Sequence, residues 1–207
     1  MPTQQLKASL AWICACLRAC PPRELRLFAA DERPTLLYTD GWGDADTQRW
    51  RIGAVLDSPH ATELLYTGAD VPNDVLNSWL PKRQHINQTE LLAGPVAFDT
   101  WPTLLQEADI IHWVDNDAAA AALIKGYSDK SDSLKIISDY WLRALSLRAN
   151  IFIDRVESKS NLADAPSRPD ESGMALLHRL RARACAPKCD FFQSARPSKD
   201  PFQWYDS

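Results

Sequence analysis

No apolar run in this 207-residue chain approaches the roughly 20 residues that a membrane-spanning helix requires, so no membrane partner is expected. There is no internal repeat and no low-complexity tract, which excludes solenoids and repeat arrays. Basic residues are not in excess. Lys and Arg number 23 against 27 Asp and Glu, a net charge of −4, which argues against a surface given over to phosphate binding and leaves only local basic patches open. A disulfide framework is also missing. The five cysteines (Cys14, Cys16, Cys20, Cys185 and Cys189) are odd in number and confined to the two ends, which fits a reducing compartment. Their spacings match no common zinc module, and Cys14 and Cys16 are expected as small core residues of an N-terminal helix. Residues 1–19 resemble a secretory signal only faintly, because Lys7 is the single early positive charge and Arg18 interrupts the apolar stretch.

What is present is ordinary globular material. Hydrophobic residues make up 45% and charged residues 24%, enough for a packed core, and the length suits one domain with extensions. Periodicity predicts a helix over 5–20 with Leu6, Leu10, Ile13 and Leu17 on one stripe, stopped by Pro21-Pro22. Strands are predicted over 35–40, 50–56 and 63–68, with Gly41-Trp42-Gly43-Asp44 read as a turn. Residues 70–87 read as irregular. A helix follows from Thr89 to about Leu105, with Pro95 expected to kink it. The nearly all-apolar stretch 109–114 predicts a central strand. An Ala-rich helix over 116–125 follows, then a helix over 132–148 with Leu134, Ile137, Trp141, Leu145 and Arg148 near one face. A fifth strand covers 150–156, a short helical turn opens at Asp164, and a basic helix covers 174–184 ahead of a loose tail. A three-strand meander followed by two crossover units makes an α/β domain: a mixed five-stranded sheet, three strands antiparallel and then two parallel, flanked by helices. The expected division is a helical extension over 1–33, the domain over 34–170, and a basic helix with tail over 171–207.

Four acids stand out in this order of elements. Asp40 follows Leu36-Leu37-Tyr38-Thr39 and Asp115 follows Ile110-Ile111-His112-Trp113-Val114, so two of them end apolar runs. Glu90 lies in Asn87-Gln88-Thr89-Glu90-Leu91-Leu92-Ala93, and Asp164 in Asn161-Leu162-Ala163-Asp164-Ala165-Pro166-Ser167-Arg168, both near helix starts. A turn residue or a helix cap explains any one of them. Gathered together, they would line a negative, oxygen-rich pocket suited to two hard divalent ions and phosphoryl chemistry. Asp44, Asp46 and Asp117 are read as solvated neighbours.

These motifs in this order resemble the ribonuclease H family, and most closely the ribonuclease H domains of retroelement reverse transcriptases. The likeness covers about residues 34–168. It rests on Thr39-Asp40-Gly41, on Glu90-Leu91-Leu92-Ala93 with Val96-Ala97, on Val114-Asp115-Asn116, and on the run from Arg155 to Arg168. The resemblance implies a metal-dependent endonuclease that cuts the RNA strand of RNA–DNA hybrids. Asp40, Glu90, Asp115 and Asp164 would be its catalytic and metal-binding residues, for two Mg²⁺ ions with Mn²⁺ as substitute. Gly41, Trp42, Asn87, Gln88, Asn116 and Arg168 are the candidate substrate contacts, and a reverse transcriptase polymerase domain is the implied protein partner. The implied location is intracellular: cytoplasm, nucleus, or a viral or retroelement particle. The sequence departs from the family in having no histidine between His112 and His178, where the resemblance implies one that helps product release and Lys159 or Glu157 would stand in. It also departs in placing Ile86 beside Asn87, where the resemblance implies a second Asn or Gln reading RNA hydroxyls. Two further readings keep the fold. One is a DNA-cutting nuclease of the transposase, integrase or resolvase type, against which the helical Glu90 argues. The other is a non-catalytic nucleic-acid-binding module, against which the presence of all four acids argues.

Overall fold

The computed structural model describes residues 3–19, 33–168 and 170–189. The expected Pro21-Pro22 stop, Cys20 and the tail from residue 190 lie outside them, as does the Cys16 side chain. Helix α1 (Gln4–Ala19) forms as predicted, but its stripe is not buried: Leu6, Leu10, Ile13 and Leu17 are all exposed. Cys14 is exposed as well, which corrects its expected place in a core; no disulfide joins Cys14, Cys185 and Cys189.

Strand β1 (Thr35–Asp44) runs four residues past its predicted end, so Asp40 sits within it rather than at its tip. It hairpins into β2 (Arg49–Asp57), and β3 (Leu65–Asp70) completes the antiparallel meander. The short helix α2 (Asn73–Asn77) interrupts the segment expected to be irregular. Helix α3 (Ile86–Thr100) is buried on every side from Gln88 to Phe98, because it lies between the sheet and another helix. It continues through Pro95 and stops at Trp101. Pro102 disfavours helical geometry in the residue before it, and Trp101 accordingly has φ −125° and ψ 46°. The expected single helix to Leu105 is therefore two, the second being α4 (Pro102–Leu105).

Strand β4 (Asp109–Val114) pairs in parallel with β1 on one side and with β5 (Asn150–Arg155) on the other, the interior position its apolar sequence predicts. Between them run α5 (Asp117–Lys125) and α6 (Ser131–Ser146). The buried face of α6 is Ile136, Ile137, Tyr140 and Ala144, and Leu145 is exposed. The expected stripe was thus rotated from the true one. Tyr140 stacks on His112 and contacts Phe98, which locks α6 and α3 to the sheet.

After β5, a 3-10 turn (Ser158–Ser160) leads to α7 (Asp164–Ser167) and α8 (Glu171–Arg179). Asp170 caps α8 by accepting from Gly173 N at 2.6 Å. The predicted basic helix ends five residues early. Arg181 takes φ 54°, the chain reverses, and β6 (Arg183–Ala184) adds in parallel to β3. The sheet has six strands, in the order β5-β4-β1-β2-β3-β6, where five were expected. Residues up to Cys189 are also not loose: Lys188 N donates to Thr100 Oγ1, and Cys189 is buried in the main core. Helix α3 packs on one sheet face, over Ile52, Ala54 and Leu56. Helices α7 and α8 pack on the other, around Val55, Ala165 and Leu177. Among the described residues no helix is long and apolar enough to cross a membrane.

Candidate functional site

The site follows from strand register. Thr39 pairs with Val114 in the parallel ladder, so Asp40 and Asp115 are the next residues on two adjoining strands that then part. Strand spacing of about 4.8 Å brings their side chains within reach of each other. The third acid comes from α7, which packs on the sheet face that Tyr38 and Asp40 share. Asn161 fixes the approach: its side-chain amide donates to Thr39 O at 3.0 Å, and its Oδ1 accepts from Ala163 N at 3.1 Å. Helix α7 then lies flat on β2 and presents Asp164. Carboxylate oxygens of Asp40, Asp115 and Asp164 all lie within 4.8 Å of one another.

Two glycines permit this geometry. A Cβ at Gly53 would stand 2.5 Å from Ser167 N and 2.6 Å from Ala163 O, and a Cβ at Gly41 would stand 2.4 Å from Glu90 N. Gly41 is therefore where α3 meets β1. Its N–H donates to Glu90 Oε2 at 3.0 Å. Because backbone obstructs the Gly53 position, Gly53→Ala must push α7 away. A loss of about 1–3 kcal/mol in stability is expected, as for other overpacked sites, with a weaker metal-induced rise in melting temperature as Asp164 retreats. Thermal melts with and without Mg²⁺ check this; wild-type values in both would refute the packing account.

The electrostatics match a crowded acid cluster. Asp40 is 1% exposed, and burial pushes its carboxyl up to about 6; a hydrogen bond from Ser167 opposes this, while Asp164 and Asp115 add to it. Burial, then Asp40 and Asp115, push Glu90 up to about 9. Asp164 is also raised, again chiefly by burial. Against these acids the described residues set one guanidinium, Arg168, whose Nη2 is 3.1 Å from Asp164 Oδ1 and 3.9 Å from Asp40 Oδ2. Beneath the site, His112 is fully buried between Thr39 Oγ1 and Tyr140 OH, each 2.8 Å away, and burial drives its pKa down to about 3. It is a neutral strut joining β1, β4 and α6.

The other candidates divide. Asn87 is exposed in the first turn of α3, and Trp42 is half-buried on β1. Gln88 is 2% exposed, and its amide donates to Asp132 Oδ2 and Ser133 Oγ, so it holds α3 to α6 instead of facing outward. Asn116 caps α5, with Oδ1 accepting from Ala118 N and Ala119 N. Of the acids left out, Asp44 organises its own turn and Asp117 pairs with Arg155. Residue-by-residue reading overlooked Ser167, whose hydroxyl donates to Asp40 Oδ2, and Arg51, whose Nε donates to Ser167 O at 3.1 Å. Ser167 lies inside the Asp164 motif, so a signal for it existed; Arg51 carried none.

Donor chemistry fits divalent cations. All the ligating atoms are hard carboxylate oxygens, and they are crowded enough to hold protons that a cation would displace.

No protein-family model and no curated protein matches the chain. Solved structures do. Ribonuclease H1 of the halophilic archaeon Halobacterium salinarum NRC-1 aligns with a TM-score of 0.52 at 19% identity, over 65% of this chain and 95% of that one. The N-terminal RNase H domain of a Mycobacterium tuberculosis protein, solved as a fusion with maltose-binding protein, aligns with a TM-score of 0.52 at 15% identity, over 71% and 99%. The chain has the ribonuclease H-like fold.

Proposed function

We propose that the chain is a metal-dependent endonuclease that hydrolyses the RNA strand of RNA–DNA hybrids. The observation that carries this reading is the meeting of Asp40, Asp115 and Asp164 within 4.8 Å, on a fold shared with ribonuclease H1. Asp40, Glu90, Asp115 and Asp164 would hold two Mg²⁺ ions, or Mn²⁺ in their place, which when bound supply an activated water and charge stabilisation at the leaving 3′ oxygen. The chain's own residues do the rest. Asp40 is held in one orientation by Ser167, and Glu90 is held by the Gly41 N–H. Fixed carboxylates lose little on organising, which is the advantage of a preformed site. Asn87, exposed one turn from Glu90, would meet ribose hydroxyls in the wide minor groove of a hybrid, with Trp42 and Arg168 as further contacts.

The likeness of residues 155–168 to retroelement versions supports an origin in a reverse-transcribing element, with a polymerase domain as partner and an intracellular or particle setting. The test is a gel assay on a labelled hybrid in Mg²⁺. The parent is expected to shorten the RNA strand and leave duplex DNA intact, and Asp115→Asn, nearly the same size, to lose that activity. Cutting of duplex DNA alone would move the assignment to the DNA-nuclease class. Hybrid binding without cleavage in Mg²⁺ or Mn²⁺ would refute the enzyme reading.

A further inference from the structure

Arg168 faces two of the three clustered acids. Its guanidinium bonds Asp164 Oδ1 and approaches Asp40 Oδ2, the oxygen that also accepts from Ser167. Its backbone is fixed, because Arg168 N donates to Asp164 O at 3.0 Å at the end of α7. Its side chain is not fixed in the same way: it is 45% exposed, whereas Asp40 is 1% exposed. A side chain with a tethered root and a solvent-facing head can leave the acids by rotating about its own χ angles, with no backbone rearrangement.

We propose that Arg168 is a tethered counter-ion that competes with divalent cations for Asp164 and Asp40, and so sets the metal affinity of the site. The inference rests on the metal-site reading above. With no ion bound, the guanidinium offsets part of the repulsion among carboxylates that the fold forces together. An incoming cation needs the same oxygen lone pairs, so it enters only as the guanidinium leaves. The acids are thereby kept in place before loading, at the cost of weaker binding. Once displaced, Arg168 is freed at the mouth of the site, where a bidentate donor suits a substrate phosphate.

The experiment is Mn²⁺ titration of the full chain without nucleic acid, by calorimetry or by loss of the free-ion EPR signal. Arg168→Gln is expected to bind Mn²⁺ about two- to fivefold more tightly than wild type, the scale of a half-exposed ion pair. It should also melt at a lower temperature without metal and gain more on adding it. Arg168→Lys keeps the charge and should stay within about twofold of wild type. Arg148→Gln removes the same charge from a distant pair with Glu107 and should leave Mn²⁺ affinity unchanged, which separates local competition from net charge. Equal or weaker Mn²⁺ binding by Arg168→Gln overturns the inference alone. Absence of binding by both wild type and Arg168→Gln overturns it together with the metal-site reading.

Discussion

Asp40→Asn is expected to raise the melting temperature of the metal-free protein while it abolishes hybrid cleavage. The two effects share a cause. Asp40 is almost wholly buried beside Asp164 and Asp115, and at neutral pH its charge is held against burial and repulsion. A displacement from 3.8 to about 6 corresponds to about 3 kcal/mol of unfavourable charging, which the amide does not incur. The amide oxygen can still accept from Ser167, so the packing is kept. Cleavage should fall by more than about a hundredfold, since even residues that only support a metal ligand cost ten- to a hundredfold. The Mg²⁺-induced rise in melting temperature should shrink with it. Asp164→Asn should show the same pattern with a smaller stability gain, because Asp164 is only half-buried. Melting curves in EDTA and in Mg²⁺, beside the gel assay, decide the matter. A variant that melts lower than wild type in EDTA, or still cuts, would show that Asp40 is a structural acid.

The sequence revealed the acids better than the geometry that unites them. Asp40 and Asp115 were visible because each follows a run of β-formers, although only β4 stops there and β1 runs on to Asp44. That they adjoin depends on the Thr39–Val114 register, a parallel pairing between residues 75 apart that no local pattern encodes. It was the family likeness that brought them together. The misses have the same origin. Gln88 was read as a substrate contact from its place before Glu90, yet its partner Asp132 lies on α6 and only packing joins them. The buried face of α6 was misplaced because Leu145 fits a helical period as well as Ile136 does, and the fold, not hydropathy, chose between them. Strand β6 was hidden because two residues carry no periodicity; the turn at Arg181 delivers them to the edge of β3. The break at Trp101, by contrast, carried a local signal: Pro102 disfavours helix in the residue before it, although α3 runs through Pro95.

Metal-free stability should fall as pH rises from about 7 to about 9, and Mg²⁺ should largely remove that fall. Asp40 and Glu90 both have folded-state pKa values above their ordinary ones, about 6 and about 9. For such groups the native state binds protons more tightly than the unfolded chain. Their contribution to stability is complete below about pH 4 and is lost as pH climbs through the folded values. His112 acts in the opposite sense. Its folded pKa is about 3, so its contribution is intact above about pH 6.5 and is lost as pH falls below that. Between about pH 5 and 6.5 Asp40 and His112 therefore largely offset each other, and Glu90, protonated in the folded protein but ionised in the unfolded chain, leaves a net decline with rising pH. Above about pH 7 His112 contributes no slope and Glu90 dominates, so melting temperature in EDTA should decline toward pH 9. A bound cation replaces the protons, so the Mg²⁺-induced rise should be largest at the alkaline end. Glu90→Gln should flatten the profile from about pH 5 to 9, because below pH 6.5 the remaining Asp40 and His112 largely offset each other. An EDTA profile that is level or rising from pH 7 to 9 would mean that Glu90 is already ionised in the folded protein, and that the acids are too solvated to form the crowded site described above.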